Sequence, residues 1–155
     1  MGHQADNKPR TILLLNRYKI ASVAWLIALY AATALTARID TSPDDVLMLF
    51  LFELRHVIMH LLAFAIQAWL IAHAVQLPSD PDTKRDGGRL IALVLILGFG
   101  QEALQSVYRS EIRAVASLWD LVVDTGGGAA GWWWYTYRQI QFQNRPRQGW
   151  RWGHD

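Results

Sequence analysis

Between Val46 and Leu77 the chain carries 32 consecutive residues, VLMLFLFELRHVIMHLLAFAIQAWLIAHAVQL, in which Glu53 and Arg55 are the only acidic or basic residues besides histidine. At about 1.5 Å per residue a single helix of this length reaches about 48 Å, against a bilayer hydrocarbon core of about 30 Å. The tract must therefore bend, tilt or lie partly in the interface. Glu53, Arg55, His56 and His60 interrupt its first half, which places an interfacial or re-entrant helix at 43–54 and a span at 55–77.

Three further apolar runs accompany it. The first, Ile20–Ala37, has eighteen residues and follows Lys8, Arg10, Arg17 and Lys19. At about 27 Å it is just long enough to cross. Residues 32–34, Ala-Thr-Ala, resemble a signal-peptide cleavage site, but the length of the run and the membrane segment after it favour a retained span. The third run extends from Arg89 to Tyr108, after a stretch PSDPDTKRDGG (78–88) whose Pro, Asp and Gly content reads as a loop. The fourth extends from Ser117 to Tyr137 and closes on WWWYTY, a composition suited to a membrane–water interface.

The expected fold is all-α, an integral membrane bundle of four transmembrane helices with the interfacial or re-entrant helix before the second. Residues 1–19 form a cytoplasmic N-terminal segment, 20–137 the membrane domain, and 138–155 a basic, Trp-bearing cytoplasmic tail. Apolar residues make up 52% of the chain and charged ones 18%, with the charges gathered in blocks between the runs. A net charge of +2 therefore reads as a topology signal, and nucleic acid is set aside as a partner. The absence of cysteine excludes disulfides, thiol catalysis and Cys-based metal sites.

Eleven Lys and Arg residues fall in the N-terminal segment, the 78–89 loop and the tail, against four (Arg38, Arg55, Arg109, Arg113) on the other side. This bias orients both termini toward the cytoplasm. The start of segment two, the end of segment three and the start of segment four then share the outer side.

The unusual polar residues lie at those same places. Segment three carries Gln101, Glu102 and Gln105, the last two neighbours on one helix face. Segment four carries Asp120 and Asp124 four apart, with Ser117 a turn earlier, and segment two carries His56 and His60 four apart, with Glu53 before them. A carboxylate at mid-bilayer costs roughly 2.5–3.5 kcal/mol on insertion scales, so each needs a partner. The available counter-charges are Arg109, Arg113 and the two histidines. Gly127 and Gly131 form a GxxxG step, read purely as helix packing that draws the aspartates into the bundle. His73 stands apart and reads as structural or interfacial, Gln101 as satisfying a backbone or partner helix. The tripeptide Asp124-Thr125-Gly126 spells an aspartic-protease motif, but that chemistry needs two such loops in a β fold.

The array QEALQ (101–105), then Arg113, then SLWDLVVDTGGGAAG (117–131), resembles the VanZ-like membrane proteins: a Glu-x-x-Gln ending one helix, an Arg in the next loop, and an Asp followed four residues later by Asn or Asp before a GxxxG. HLLAF (60–64) is similar to that family's histidine-plus-aromatic at the head of an earlier helix, and Arg55 and His56 stand where an acid and a lysine are common. The resemblance covers about residues 53–131. It implies a cell-envelope membrane protein related to teicoplanin resistance proteins, an antibiotic-resistance group, and does not itself supply a reaction.

Three functions are compatible with these residues. In the first, Glu102, His60 and Asp120 are catalytic and Gln105, Arg109, Arg113, Ser117 and Asp124 bind a membrane lipid or a lipid-linked or wall-associated anionic substrate. In the second, His56, His60, Glu53 and the aspartates gather a divalent metal; no other cofactor is expected. In the third, the buried charges only hold the helices together and the protein is a partner or scaffold for other envelope proteins.

Overall fold

The computed structural model describes residues 8–36, 45–77, 83–109 and 114–144. They form four helices: α1 (Lys8–Thr36), α2 (Val46–Val75), α3 (Thr83–Arg109) and α4 (Ala114–Gln143), with no strand among the described residues. Three helices are long and apolar enough to cross a membrane, over Asn16–Leu35, Val46–Val75 and Arg85–Tyr108. Helix α4 has the length, but Asp120, Asp124, its glycines and its Trp/Tyr cluster dilute its apolar character.

Helix α2 is continuous, so 46–54 is no separate interfacial or re-entrant element. Asp45 starts it, its side chain accepting the Leu47 N–H at 3.1 Å. No Gly or Pro follows to break it before it ends at Gln76, which adopts a left-handed φ of 53°. The Gln76 and Leu77 N–H groups return to the carbonyls of His73 and Ala72, closing a Schellman-type cap. Two further boundaries differ from expectation. Residues 83–88 are the first turns of α3 rather than loop, and α4 runs six residues past Tyr137. At the first of these Gly87 is buried against Trp132 of α4 and serves packing instead of a turn, while Gly88 faces outward.

The contacts give the helix directions. Tyr18 stacks on His73, Ser22 bonds Gln67 and Trp25 bonds the Ala63 carbonyl, so α1 runs antiparallel to α2. Gly87 meets Trp132, Val94 meets Gly128 and Gly98 meets Asp124, so α3 runs antiparallel to α4. Helices α2 and α4 run parallel and share the most extensive interface of the bundle. The core sits between them and α3, with Phe64, Ala68, Ala72, Leu90, Val94 and Tyr135 all buried.

The outer faces carry large exposed apolar side chains from one end of the bundle to the other, among them Phe50, Ile58, Leu62, Ile96, Phe99 and Val122. Hydroxyls are met inside the helices: Thr33, Ser106 and Thr125 each donate to the carbonyl four residues earlier.

Candidate functional site

The parallel α2–α4 pair sets the site. Each helix presents two ionisable residues four apart, one turn along the same face, and the helices sit in a register that matches them one to one. His56 Nε2 lies 3.3 Å from Asp120 Oδ1 and His60 Nδ1 lies 2.8 Å from Asp124 Oδ1. The two imidazoles lie one turn apart on α2, tilted at 47° with centroids 4.4 Å apart. Burial deepens from the first pair to the second: the His56 side chain is 32% exposed, whereas that of Asp124 is 1% exposed.

The register is held from below by close backbone approach. Gly127 and Gly131 are buried, and a Cβ at either would run into the α2 backbone at Leu61 and Ala65. Further along the same interface the Tyr135 hydroxyl donates to the Leu77 carbonyl at 2.7 Å. His73 is enclosed there by the rings of Tyr18, Trp69 and Tyr135, with centroids 4.5–4.8 Å away.

Helix α3 adds the third wall. Glu102 and Gln105 are both buried, and the Glu102 carboxylate accepts from the Ser117 hydroxyl of α4 while standing within electrostatic reach of His60, Asp120 and Asp124. One oxygen of Glu102 and one of Asp124, Oε1 and Oδ2, are buried without a hydrogen-bond partner among the described residues. Gly98 makes room for the second: a Cβ there would stand 2.8 Å from Asp124 Oδ2.

The structure thus gathers His56, His60, Glu102, Gln105, Ser117, Asp120 and Asp124 at the end of the bundle that carries the α3–α4 connection. It does not bring in Glu53, which is exposed on α2 and whose carboxylate is not among the converging ligand atoms. Arg113 lies outside the described residues, and Arg109 ends α3 with its side chain outside them too. The counter-charges that the described residues supply to the aspartates are the histidines. Arg55 is exposed and lies over the Phe52 ring at 5.3 Å.

Sequence reasoning missed two polar features. Gln67, 1% exposed, donates to Ser22 of α1 at 3.0 Å and keeps its Oε1 unpartnered. It lies seven residues after His60, two turns along the same face, and that spacing was a usable signal. Tyr30 of α1 donates to the Leu97 carbonyl of α3 at 2.7 Å, beside Gly100. No local pattern marks that contact, because it depends on which helix lies opposite.

In chemical terms the cluster offers three carboxylates and two imidazoles in a recess largely closed to solvent. One imidazole has its Nδ1 tied to a buried carboxylate, leaving Nε2 as the nitrogen able to exchange a proton or bind a ligand. Compared with models of protein families, with curated proteins and with solved structures, the chain matches none.

Proposed function

We propose that the chain is a VanZ-like envelope protein of a bacterial inner membrane, spanning it four times with both termini cytoplasmic, whose acid–histidine recess binds and modifies a lipid-linked or wall-associated anionic substrate at the outer face. The observation that carries this reading is the buried Asp124–His60 pair at 2.8 Å, with the Glu102 carboxylate facing it across the recess. A carboxylate on Nδ1 holds an imidazole in one tautomer and orientation, the arrangement a general base requires. His60 would take the proton from an attacking hydroxyl or water, and Glu102 would deliver one to the leaving oxygen. Hydrolysis or transfer at a lipid phosphate suits these roles; a guanidinium fork is the group that would hold the phosphate, and Arg109 and Arg113 are the candidates the sequence offers.

A membrane setting is supported by the three long apolar helices and by the apolar outer surface. In the fourth span, Asp120, Asp124, Gly127, Gly128 and Gly131 of α4 would face the bundle while Leu118, Val122 and Trp133 face lipid.

A second reading is favoured by one specific feature, the one-to-one register of the two His–Asp pairs. Two such contacts, a turn apart, also describe an interhelical clamp in a non-enzymatic partner or scaffold protein.

The deciding experiment purifies Glu102→Gln and Asp120→Asn beside the parent in detergent, measures folded yield and thermal stability, and identifies bound lipids by mass spectrometry. The enzyme reading expects variants that fold normally and lose a co-purifying anionic lipid. Variants that fail to fold, beside a parent that carries no specific lipid, would assign the carboxylates to the clamp.

A further inference from the structure

The same recess presents a difficulty for any anionic ligand. Its described side chains place three carboxylates against two imidazoles, so it repels phosphate unless a cation enters with it. The arrangement of donor atoms indicates how one would be held.

His56, His60 and Asp120 each offer one ligand atom, and the three atoms lie within 4.8 Å of one another. One edge of this triangle, His56 Nε2 to Asp120 Oδ1, is already 3.3 Å. Two ligands of a tetrahedral ion with bonds of about 2.0–2.1 Å stand about 3.3 Å apart. The remaining donor closes the set by a side-chain adjustment of at most about 1.5 Å, which χ rotation supplies without backbone movement.

Asp124 adds what a bare trio lacks. Metal-binding histidines characteristically donate their second ring N–H to a carboxylate, which fixes the tautomer and leaves the other nitrogen's lone pair for the ion. The 1%-exposed Asp124 carboxylate does this at His60 Nδ1, freeing Nε2. Glu102, 6% exposed and with Oε1 unpartnered, stands beside the trio as a further oxygen donor or as a base toward an ion-bound water.

We propose that His56, His60 and Asp120 form a divalent-metal site, with Asp124 as the residue that positions His60. Two imidazole nitrogens select a zinc-class ion over magnesium or calcium, which prefer all-oxygen shells. Three protein ligands leave one position open for water or a phosphate oxygen, the pattern of a reactive site and not of a purely structural one. The inference rests on the lipid-phosphate reading for the ion's use and revises one role in it: with Nε2 on the ion, His60 no longer serves as the base, and the ion would activate the attacking water in its place. Metal binding itself is measured without any lipid.

The test uses the full chain purified in detergent, stripped with chelator, loaded with Zn²⁺, freed of loose metal and assayed by elemental analysis. Co²⁺ loading in parallel reads tetrahedral coordination by visible absorption. The expected result is about one equivalent of zinc per chain and a tetrahedral cobalt spectrum. His56→Gln, at the partly exposed rim, and Asp120→Asn should lose stoichiometric metal while keeping parental helicity and a monodisperse elution profile. Asp124→Asn should weaken zinc binding about 10- to 100-fold. Glu53→Gln and His73→Gln should bind as the parent does.

A parent that retains no stoichiometric zinc overturns the proposal, as does binding unchanged in folded His56→Gln and Asp120→Asn. Anionic lipid held without zinc would sink the metal site and leave the lipid reading standing; zinc held without lipid or turnover would do the reverse.

Discussion

The α2–α4 interface has two halves that solve the same packing problem differently. Toward the start of both helices, contact is made by ionisable side chains: His56 with Asp120, His60 with Asp124. From Gly127 onward it is made by backbone against backbone and by rings, with Gly127 and Gly131 on Leu61 and Ala65, then Tyr135 on His73 and Leu77. The second half is what an apolar interface uses when stability is the only demand, because small residues bring helices into van der Waals contact at no desolvation cost. The first half spends desolvation energy on groups that well-packed apolar residues replace without loss in many proteins. One helix pair thus contains both kinds of contact, a few turns apart.

The harshest way to break this contrast is Gly131→Leu. A side chain there meets the α2 backbone at Ala65, which has no rotamer to yield, so the expected loss is at least about 3 kcal/mol, the upper end for overpacking. Unfolding in detergent or the folded yield measures it. Equal stability of variant and parent would mean that the glycine half does not hold the register.

Next in size is Asp124→Ala, which leaves His60 Nδ1 buried and unpaired. The expected cost is about 1–3 kcal/mol. The sharper measurement is His60→Leu combined with Asp124→Leu. If the pair is a site and not a strut, the double variant should regain most of the stability lost by Asp124→Ala, since apolar replacement of both partners is often neutral. It should still bind no zinc. A double variant less stable than the single would make the pair a structural clamp.

At the ring end, Tyr135→Phe removes the hydroxyl's bonds to the Leu77 carbonyl and the Gln139 side chain and should cost about 0.5–1.5 kcal/mol in thermal unfolding, with zinc content unchanged. The smallest effect belongs to Arg89→Ala. The Arg89–Asp86 contact at 3.2 Å involves a guanidinium 66% exposed, and its loss should change stability by less than about 0.5 kcal/mol. A larger drop would show that the α3 start contributes more to the bundle than its exposed ion pair indicates.

Much of this architecture was legible in the chain. Length and hydropathy alone mark 20–37, 55–77 and 89–108 as runs of membrane-spanning length, and helix follows over 20–36, 55–75 and 89–108, because an apolar run in lipid has to satisfy its backbone internally. Helical periodicity alone determines that His56 shares a face with His60, Asp120 with Asp124, and Glu102 with Gln105. These are local facts, set by residues within a turn or two of one another.

What the tertiary structure decided is everything that depends on a second helix. It matched His56 to Asp120 and His60 to Asp124, drew Gln67 to Ser22, and opened space at Gly98 for an Asp124 oxygen. It left Glu53 outside the recess although the spacing from His56 seemed to include it: three residues is a helical neighbour, but the convergence of ligand atoms depends on which way α2 turns toward α4. It also kept 46–54, an exposed stretch with no glycine or proline to end it, in line with the rest of α2, and made 83–88 helical where Gly87 packs on Trp132. Periodicity states which residues share a face, whereas the partner of that face is chosen by the register that buries the most surface. That register arises only when the helices meet.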